Sequence, residues 1–294
     1  MRDQPMQFRM SADDWRIDPL TGAQVRVVAA RQDRPNQPRT DQCPFCVGGL
    51  EAPEPYAVEA FPNRWPPMPD ERCEIVLYTP EHDATFASLG REGARRVVDL
   101  WAERTAALGA RAGVAYVLVF ENRGPEVGAT IPHPHGQIYA YDEIPPVPAR
   151  ELAAGDCALC PPPPEALVVH EVGGWRTHVP WAADWPFGLL VAPAAHVPDL
   201  PGLDDAARDG LADALVDAFG RLDRLFDGPM PYMAWFHQRP TDGGEWPTAH
   251  VHLHIAPLYR SPGTPRFVAA AEVGAGLFFN PVAPESAAQA LRDA

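Results

Sequence analysis

Cysteine and histidine carry most of the chemistry available to this sequence, and their spacing is regular. Cys43-Pro-Phe-Cys46 and Cys157-Ala-Leu-Cys160 are two C-x-x-C pairs 114 residues apart. His82 and His196 keep the same 114-residue offset, each 36 residues after the second cysteine of its pair. Thiolate and imidazole suit a zinc ion, which takes four such ligands tetrahedrally in structural sites. The first set is Cys43, Cys46, His82 and one histidine of His133-Pro-His135; the second is Cys157, Cys160, His196 and one of His250, His252 and His254. The competing chemistry for a C-x-x-C pair is a redox dithiol. Cys73 has no counterpart and is expected to be a small buried residue.

The two histidine-rich segments, His133-Pro-His135-Gly-Gln137 and His250-Val-His252-Leu-His254, are 117 residues apart. Alternate residues of a strand share a face, so His133, His135 and Gln137 are expected to project together, about 6–7 Å apart. If His133 closes the metal site, His135 stands beside it on an anchored backbone. A neutral imidazole attacks phosphorus when its other nitrogen donates to a fixed acceptor. Gln137 would then offer an amide N–H to phosphoryl oxygens, and Gly136 would let substrate approach the backbone.

The elements that must hold these groups also repeat. Ile75–His82 and Leu189–His196 are apolar runs closed by proline, as buried strands are. Arg91–Arg111 and Asp205–Phe226 carry apolar residues at helical spacing. Tyr116–Phe120 and Tyr232–Phe236 are short apolar strands. Features in one order at offsets of 114 to 117 indicate duplication. The chain therefore reads as an α+β protein of two halves, 1–150 and 151–294, each a strand-rich layer with one long helix. Pro145-Pro-Val-Pro148 marks the seam.

Composition excludes several alternatives. All 24 basic residues are arginine, against 39 acidic ones, for a net charge of −15. Such a chain is a poor partner for duplex nucleic acid or an anionic membrane. Without lysine it has neither a Walker-type phosphate lysine nor a Schiff-base lysine. Its four serines, Ser11, Ser88, Ser261 and Ser286, lie outside any G-x-S-x-G. Met1–Asp14 lacks the apolar core of a signal peptide, and no apolar stretch is long enough to span a bilayer. The expectation is a cytoplasmic protein whose cysteines serve metal binding or catalysis.

The segment Phe120-Glu-Asn-Arg-Gly124…Gly128-Ala-Thr-Ile-Pro-His133-Pro-His135-Gly-Gln137 resembles the active-site segment of the galactose-1-phosphate uridylyltransferase family. Further similar words are Asp18-Pro-Leu-Thr-Gly22, Arg31-Gln-Asp-Arg34-Pro35, Phe61-Pro-Asn63-Arg-Trp65, Thr79-Pro-Glu-His82 and Trp185-Pro-Phe187. His250-Val-His252-Leu-His254 resembles the strand of the wider histidine-triad superfamily. The resemblance implies two tandem histidine-triad-like repeats, each an antiparallel-rich half-barrel sheet with a long helix, usually in a homodimer. It implies a ping-pong nucleotidyltransferase acting on a nucleotide sugar (UDP-glucose) and a sugar 1-phosphate (galactose 1-phosphate), with His135 as nucleophile assisted by Gln137. Cys43, Cys46, His82 and His133 would hold zinc. Arg31, Arg34, Asn63, Asn122, Thr130 and Gln137 would surround the nucleotide, and the tail bearing Arg266 and Glu272 would meet the sugar.

The chain departs from the family pattern in places. Thr130-Ile131 stands for Ser-Asn, Asn63-Arg64-Trp65 for Asn-Asp-Phe, and Ala271 for a tyrosine. For a second metal, Glu151, His237, His252 and His254 match one arrangement in the family. Cys157, Cys160, His196 and His250 match the two-zinc arrangement of the related ADP-glucose phosphorylase, and this set is preferred because it repeats the first site. Three other readings compete: a phosphorylase using inorganic phosphate, a hydrolase centred on His250, His252 and His254, and a non-catalytic zinc-stapled binding module.

Overall fold

The computed structural model describes residues 15–33, 43–226 and 228–294. The N-terminal segment Met1–Asp14 and the candidate Arg34 lie outside the described residues. A small hairpin, β1 (Trp15–Ile17) and β2 (Gln24–Arg26), precedes the main sheet. The sheet itself has nine strands: β3 (Glu59–Pro62), β4 (Cys73–Leu77), β5 (Tyr116–Arg123), β6 (His135–Tyr141), β7 (Val168–Val172), β8 (Trp175–His178), β9 (Leu189–Pro193), β10 (Tyr232–His237) and β11 (His252–Pro257). Five helices follow in chain order: α1 (Gly90–Gly109), α2 (Pro146–Leu152), α3 (Asp205–Leu225), α4 (Ala270–Ala275) and α5 (Pro284–Asp293). No helix among the described residues is long and apolar enough to cross a membrane.

Strand order is β3-β4-β6-β5-β10-β11-β9-β8-β7, with every neighbour antiparallel. The order reads the same outward from its middle. β5-β6-β4-β3 from the first half meets β10-β11-β9-β8 from the second, and the joint is the β5–β10 pair, with Phe120 opposite Trp235 and Asn122 opposite Met233. Each half thus supplies one layer, and the two fuse into a single open sheet rather than a closed barrel. The seam is helical: Pro145 leads into α2, whose first turn accepts proline because its N–H is not needed there.

One face of the sheet is covered. Val76, Val119, Ile138, Ala140, Val191, Ala234 and Phe236 are buried beneath the apolar stripes of α1 (Val97, Val98, Trp101) and α3 (Leu211, Leu215, Phe219). Each of the valine, leucine, isoleucine and phenylalanine side chains contributes about 1.5–3 kcal/mol on burial, so this layer dominates stability. The opposite face carries half-buried residues, among them His135, Gln137, Tyr139 and Trp235. Strand alternation therefore divides the sequence into a structural face and a chemical face.

One ionic contact at the edge of this core bears on stability. Glu74 on β4 is buried, and Arg104 of α1 grips it with two hydrogen bonds, Nε at 2.8 Å and Nη2 at 2.7 Å. Removing the guanidinium strands a buried carboxylate. Arg104→Ala is expected to lower unfolding stability by about 2–4 kcal/mol, measured by chemical denaturation. Replacing an arginine of the solvent-exposed α1–α3 network, such as Arg91, is expected to cost less than about 1 kcal/mol.

Candidate active site

The first C-x-x-C pair forms a tight knuckle. Gly49 N–H donates to the Cys46 carbonyl (2.7 Å), and a Cβ at Gly49 would lie 2.6–2.7 Å from the carbonyls of Cys43, Pro44 and Cys46. Only glycine permits that approach. The knuckle brings Cys43 and Cys46 to His82 and His133, with one ligand atom of each residue within 4.8 Å of the others. His133 Nε2–H donates to the Thr79 carbonyl (2.8 Å), which leaves the Nδ1 lone pair facing Cys46 Sγ at 3.6 Å. His82 Nδ1 lies 3.5 Å from the same sulfur. A tetrahedral ion with zinc-like bond lengths requires S···N edges of about 3.5 Å, so the four donors fit. Burial also holds the His133 ring below its ordinary pKa, in its neutral, lone-pair-donating form.

The knuckle touches the expected nucleophile as well. Phe45, between the two cysteines, packs its ring edge-on against His135 at 5.0 Å. His135 Nδ1 donates to the carbonyl of His133 (2.8 Å), which puts the imidazole lone pair on Nε2. Asn63 Nδ2 and the Tyr139 hydroxyl both donate to Gln137 Oε1 (3.2 Å each), so the Gln137 NH2 end remains the donor. Asn122 shares this face: it is two residues beyond Phe120, which pairs with Gln137. The sheet and the knuckle thus bring His135, Gln137, Asn63 and Asn122 together.

The strand expected to begin at His133 begins at His135, and the second begins at His252 rather than His250. Pro134 has no N–H for a ladder, and in both segments the first histidine's carbonyl turns onto the ring two residues later. His133 and His135 therefore do not share a strand face. His133 turns to the metal group, and His135 starts the strand.

The second half repeats this device. Cys157, Cys160, His196 and His250 converge within the same 4.8 Å limit. His250 Nε2–H donates to the Pro193 carbonyl (3.0 Å), and its Nδ1 lies 3.3 Å from Cys157 Sγ. Burial depresses its pKa to about 4. Glu151, His237, His252 and His254 form a third group that could hold a metal ion. A Glu151 carboxylate oxygen lies 2.8 Å from His237 Nδ1 and 3.5 Å from His252 Nε2. Burial opposes ionisation of Glu151, but these imidazoles hold its carboxyl well below the usual range, while burial takes His254 to about 3. An ionised carboxylate beside the His237 and His254 rings, both held below their ordinary pKa by burial, suits a cation. A cavity of about 290 Å³ lies against both second-half groups. His252, which corresponds to His135, turns its Nε2 toward Glu151 (3.5 Å) and lines this cavity.

Two models of the galactose-1-phosphate uridyl transferase family match, the N-terminal domain over residues 67–145 and the C-terminal domain over 164–292. A galactose-1-phosphate uridylyltransferase of Thermotoga maritima is 33% identical over 95% of this chain and 97% of its own length. The chain belongs to the galactose-1-phosphate uridylyltransferase family. A second member, from Streptomyces lividans, is 37% identical over 98% of this chain and 89% of its own. Among solved structures, a uridylyltransferase aligns with a TM-score of 0.86 at 29% identity, covering 95% of this chain and 97% of that one. An Arabidopsis thaliana ADP-glucose phosphorylase shares the fold, with a TM-score of 0.76 at 24% identity over 96% of this chain and 99% of that one.

The remaining candidates inherited from the family motif are less concentrated. Arg31 sits in a short 3-10 turn, Ala29–Asp33, and Thr130 in the loop before Pro134. Arg266 and Glu272 form a buried clamp of their own: Arg266 Nη2 donates to Glu272 Oε1 (2.6 Å), and the guanidinium lies between the rings of Trp185 and Phe278. The Glu272 carboxylate also accepts from the Ala269 and Phe279 amides. Their charges hold the tail together. Tyr56 was not legible from sequence, because no motif contains it. Its hydroxyl lies 2.6 Å from the Phe45 carbonyl and 3.0 Å from His133 Nε2, tying the knuckle to the ligand loop. Replacing Cys43 and Cys46 together by serine is expected to remove about one equivalent of bound metal per chain and several kcal/mol of stability, read by elemental analysis and thermal unfolding.

Proposed function

We propose that this protein transfers a uridylyl group between UDP-glucose and galactose 1-phosphate through a nucleotidyl–His135 intermediate. The observation that carries this reading is the His135 ring pinned through Nδ1–H to the His133 carbonyl, within the H-P-H-G-Q segment. His135 Nε2 attacks the α-phosphorus of UDP-glucose. The P–N bond forms as the bond to the bridging oxygen breaks, and glucose 1-phosphate leaves with the electron pair. A phosphate oxygen of galactose 1-phosphate then attacks the same phosphorus, the P–N bond breaks, and UDP-galactose departs. Gln137 donates its amide N–H to the phosphoryl oxygens, where charge grows in each transition state. Arg31, Arg34, Asn63, Asn122 and Thr130 hold the nucleotide.

Zinc is the ion proposed for Cys43, Cys46, His82 and His133, and for Cys157, Cys160, His196 and His250. Bound there, it supplies a rigid cross-link between loops and no step of the transfer. The halves 1–150 and 151–294 act as repeats, with the first carrying the chemistry. A cytoplasmic location accords with thiols kept as metal ligands. A homodimer is supported by the exposed Phe267, Val268, Val273, Leu277, Phe278 and Phe279 of the tail. In that assembly the segment ordered by Arg266 and Glu272 would reach the sugar.

Incubation with α-labelled UDP-glucose followed by denaturation is expected to leave an acid-labile, base-stable label and to release glucose 1-phosphate in equal amount. His135→Gly is expected to abolish the label and to reduce turnover by about 10³-fold or more. Absence of label from the native protein would refute the transfer. Turnover with inorganic phosphate but none with galactose 1-phosphate would replace it with a phosphorylase.

A further inference from the structure

Behind the nucleophile, on the covered face of the sheet, lies polar chemistry that the transfer itself does not use. Tyr78 follows β4 and is fully buried, with its ring edge-on to Phe86 (5.5 Å) and Trp101 (5.6 Å). Its hydroxyl has no well-aligned hydrogen bond. That omission costs about 1–3 kcal/mol, which phenylalanine would avoid. The hydroxyl oxygen sits against the back of Gly136: a Cβ there would run into it, and would also lie 2.9 Å from Tyr78 Cζ and 3.1 Å from the Phe120 carbonyl. The Tyr78 amide lies on the same loop, bonded to the Pro134 carbonyl at 3.3 Å.

Glu121 stands beside this hydroxyl. Its neighbour Phe120 pairs with Gln137, so Glu121 lies next to Gly136 on the adjacent strand, pointing into the core. The Tyr232 hydroxyl donates to Glu121 Oε1 at 2.8 Å. Burial pushes the Glu121 carboxyl up to about 7, against the Tyr232 and Tyr78 hydroxyls and the charge of Arg123, which favour its ionised form. Arg123 is itself held by Asp223 at 2.7 Å. A buried carboxylate bonded to the Tyr232 hydroxyl and lying beside that of Tyr78 is costly in an apolar layer. It does no packing that leucine could not do.

We propose that Tyr78 and Glu121 are positioning residues for His135: a buried hydroxyl–carboxyl prop, set against the back of Gly136, that holds the 133–136 backbone so that the His133 carbonyl keeps the proton on Nδ1 of the nucleophile. The prop acts through the strand and touches neither substrate nor metal ligand. Its catalytic meaning rests on the uridylyl transfer proposed above. Gly136 is then glycine because the prop occupies the place of its side chain.

The test combines two readouts on Tyr78→Phe, Glu121→Gln, Gly136→Ala and the double variant Gly136→Ala/Tyr78→Phe. One is the single-turnover rate of label transfer from UDP-glucose to His135. The other is the imidazole ¹⁵N spectrum of His135, which reports the tautomer without substrate. Tyr78→Phe and Glu121→Gln are expected to keep their thermal midpoint within a few degrees and KM within about twofold. Each should slow label transfer roughly tenfold and move part of the His135 population to the Nε2–H tautomer. Gly136→Ala should be slower still, and Tyr78→Phe in that background should recover part of the rate. Wild-type label transfer and an unchanged tautomer in both Tyr78→Phe and Glu121→Gln would overturn the proposal, as would a Gly136→Ala defect that Tyr78→Phe leaves untouched. If the native protein transfers no label, the uridylyl reading fails, and the tautomer spectrum still decides the role of the prop.

Discussion

The hydrogen bond from His135 Nδ1 to the His133 carbonyl is the contact on which the site depends. It sets the tautomer of the His135 ring and leaves the lone pair on Nε2. Its acceptor belongs to a residue that is itself immobilised, since His133 is gripped through Nε2 by the Thr79 carbonyl and turns Nδ1 to the thiols. One short segment therefore couples a group that could hold a metal ion to the His135 imidazole. The knuckle residue Phe45 closes the loop by packing on the same ring. Precision at His135 comes from backbone held at both ends, not from a crowd of contacts around the ring.

The second half repeats this construction and turns it to another use. His250 is held by the Pro193 carbonyl and faces Cys157, and the His252 ring is pinned to the His250 carbonyl. The backbone device is the same, yet the surroundings differ. Gln137 in the first half corresponds to His254 in the second, and Glu151 closes over His237, His252 and His254. The second imidazole, His252, sits instead within a group that could hold a metal ion. Duplication has preserved geometry while the residues two positions on have separated the chemistry.

The fusion of the two halves follows from the antiparallel joint between β5 and β10. A four-stranded layer would leave an exposed ladder edge at each copy. Pairing the edges removes both and gives one helix-covered face extending over α1 and α3.

The repeat, the two Cys/His sets, the long helices and the apolar strands before them and after them were legible in the residues, because metal ligation demands fixed residue types at fixed spacing and buried elements show their periodicity; the order of the strands in the sheet was not. The third group, Glu151 with three histidines, was visible only as one of two alternatives, since proximity of residues 151 and 237–254 is not a sequence property. The place of His133 in the metal group was implied by the family resemblance, but that the strand starts only at His135, so that the two rings do not share a face, needed the tertiary structure, because the carbonyl turn at Pro134 breaks the alternation that a continuous strand would impose. The roles of Tyr56, Tyr78 and Glu121 were wholly tertiary. Each acts through contacts between residues tens of positions apart, and a single tyrosine or glutamate in an apolar run carries no mark of the partner that chain folding will bring to it.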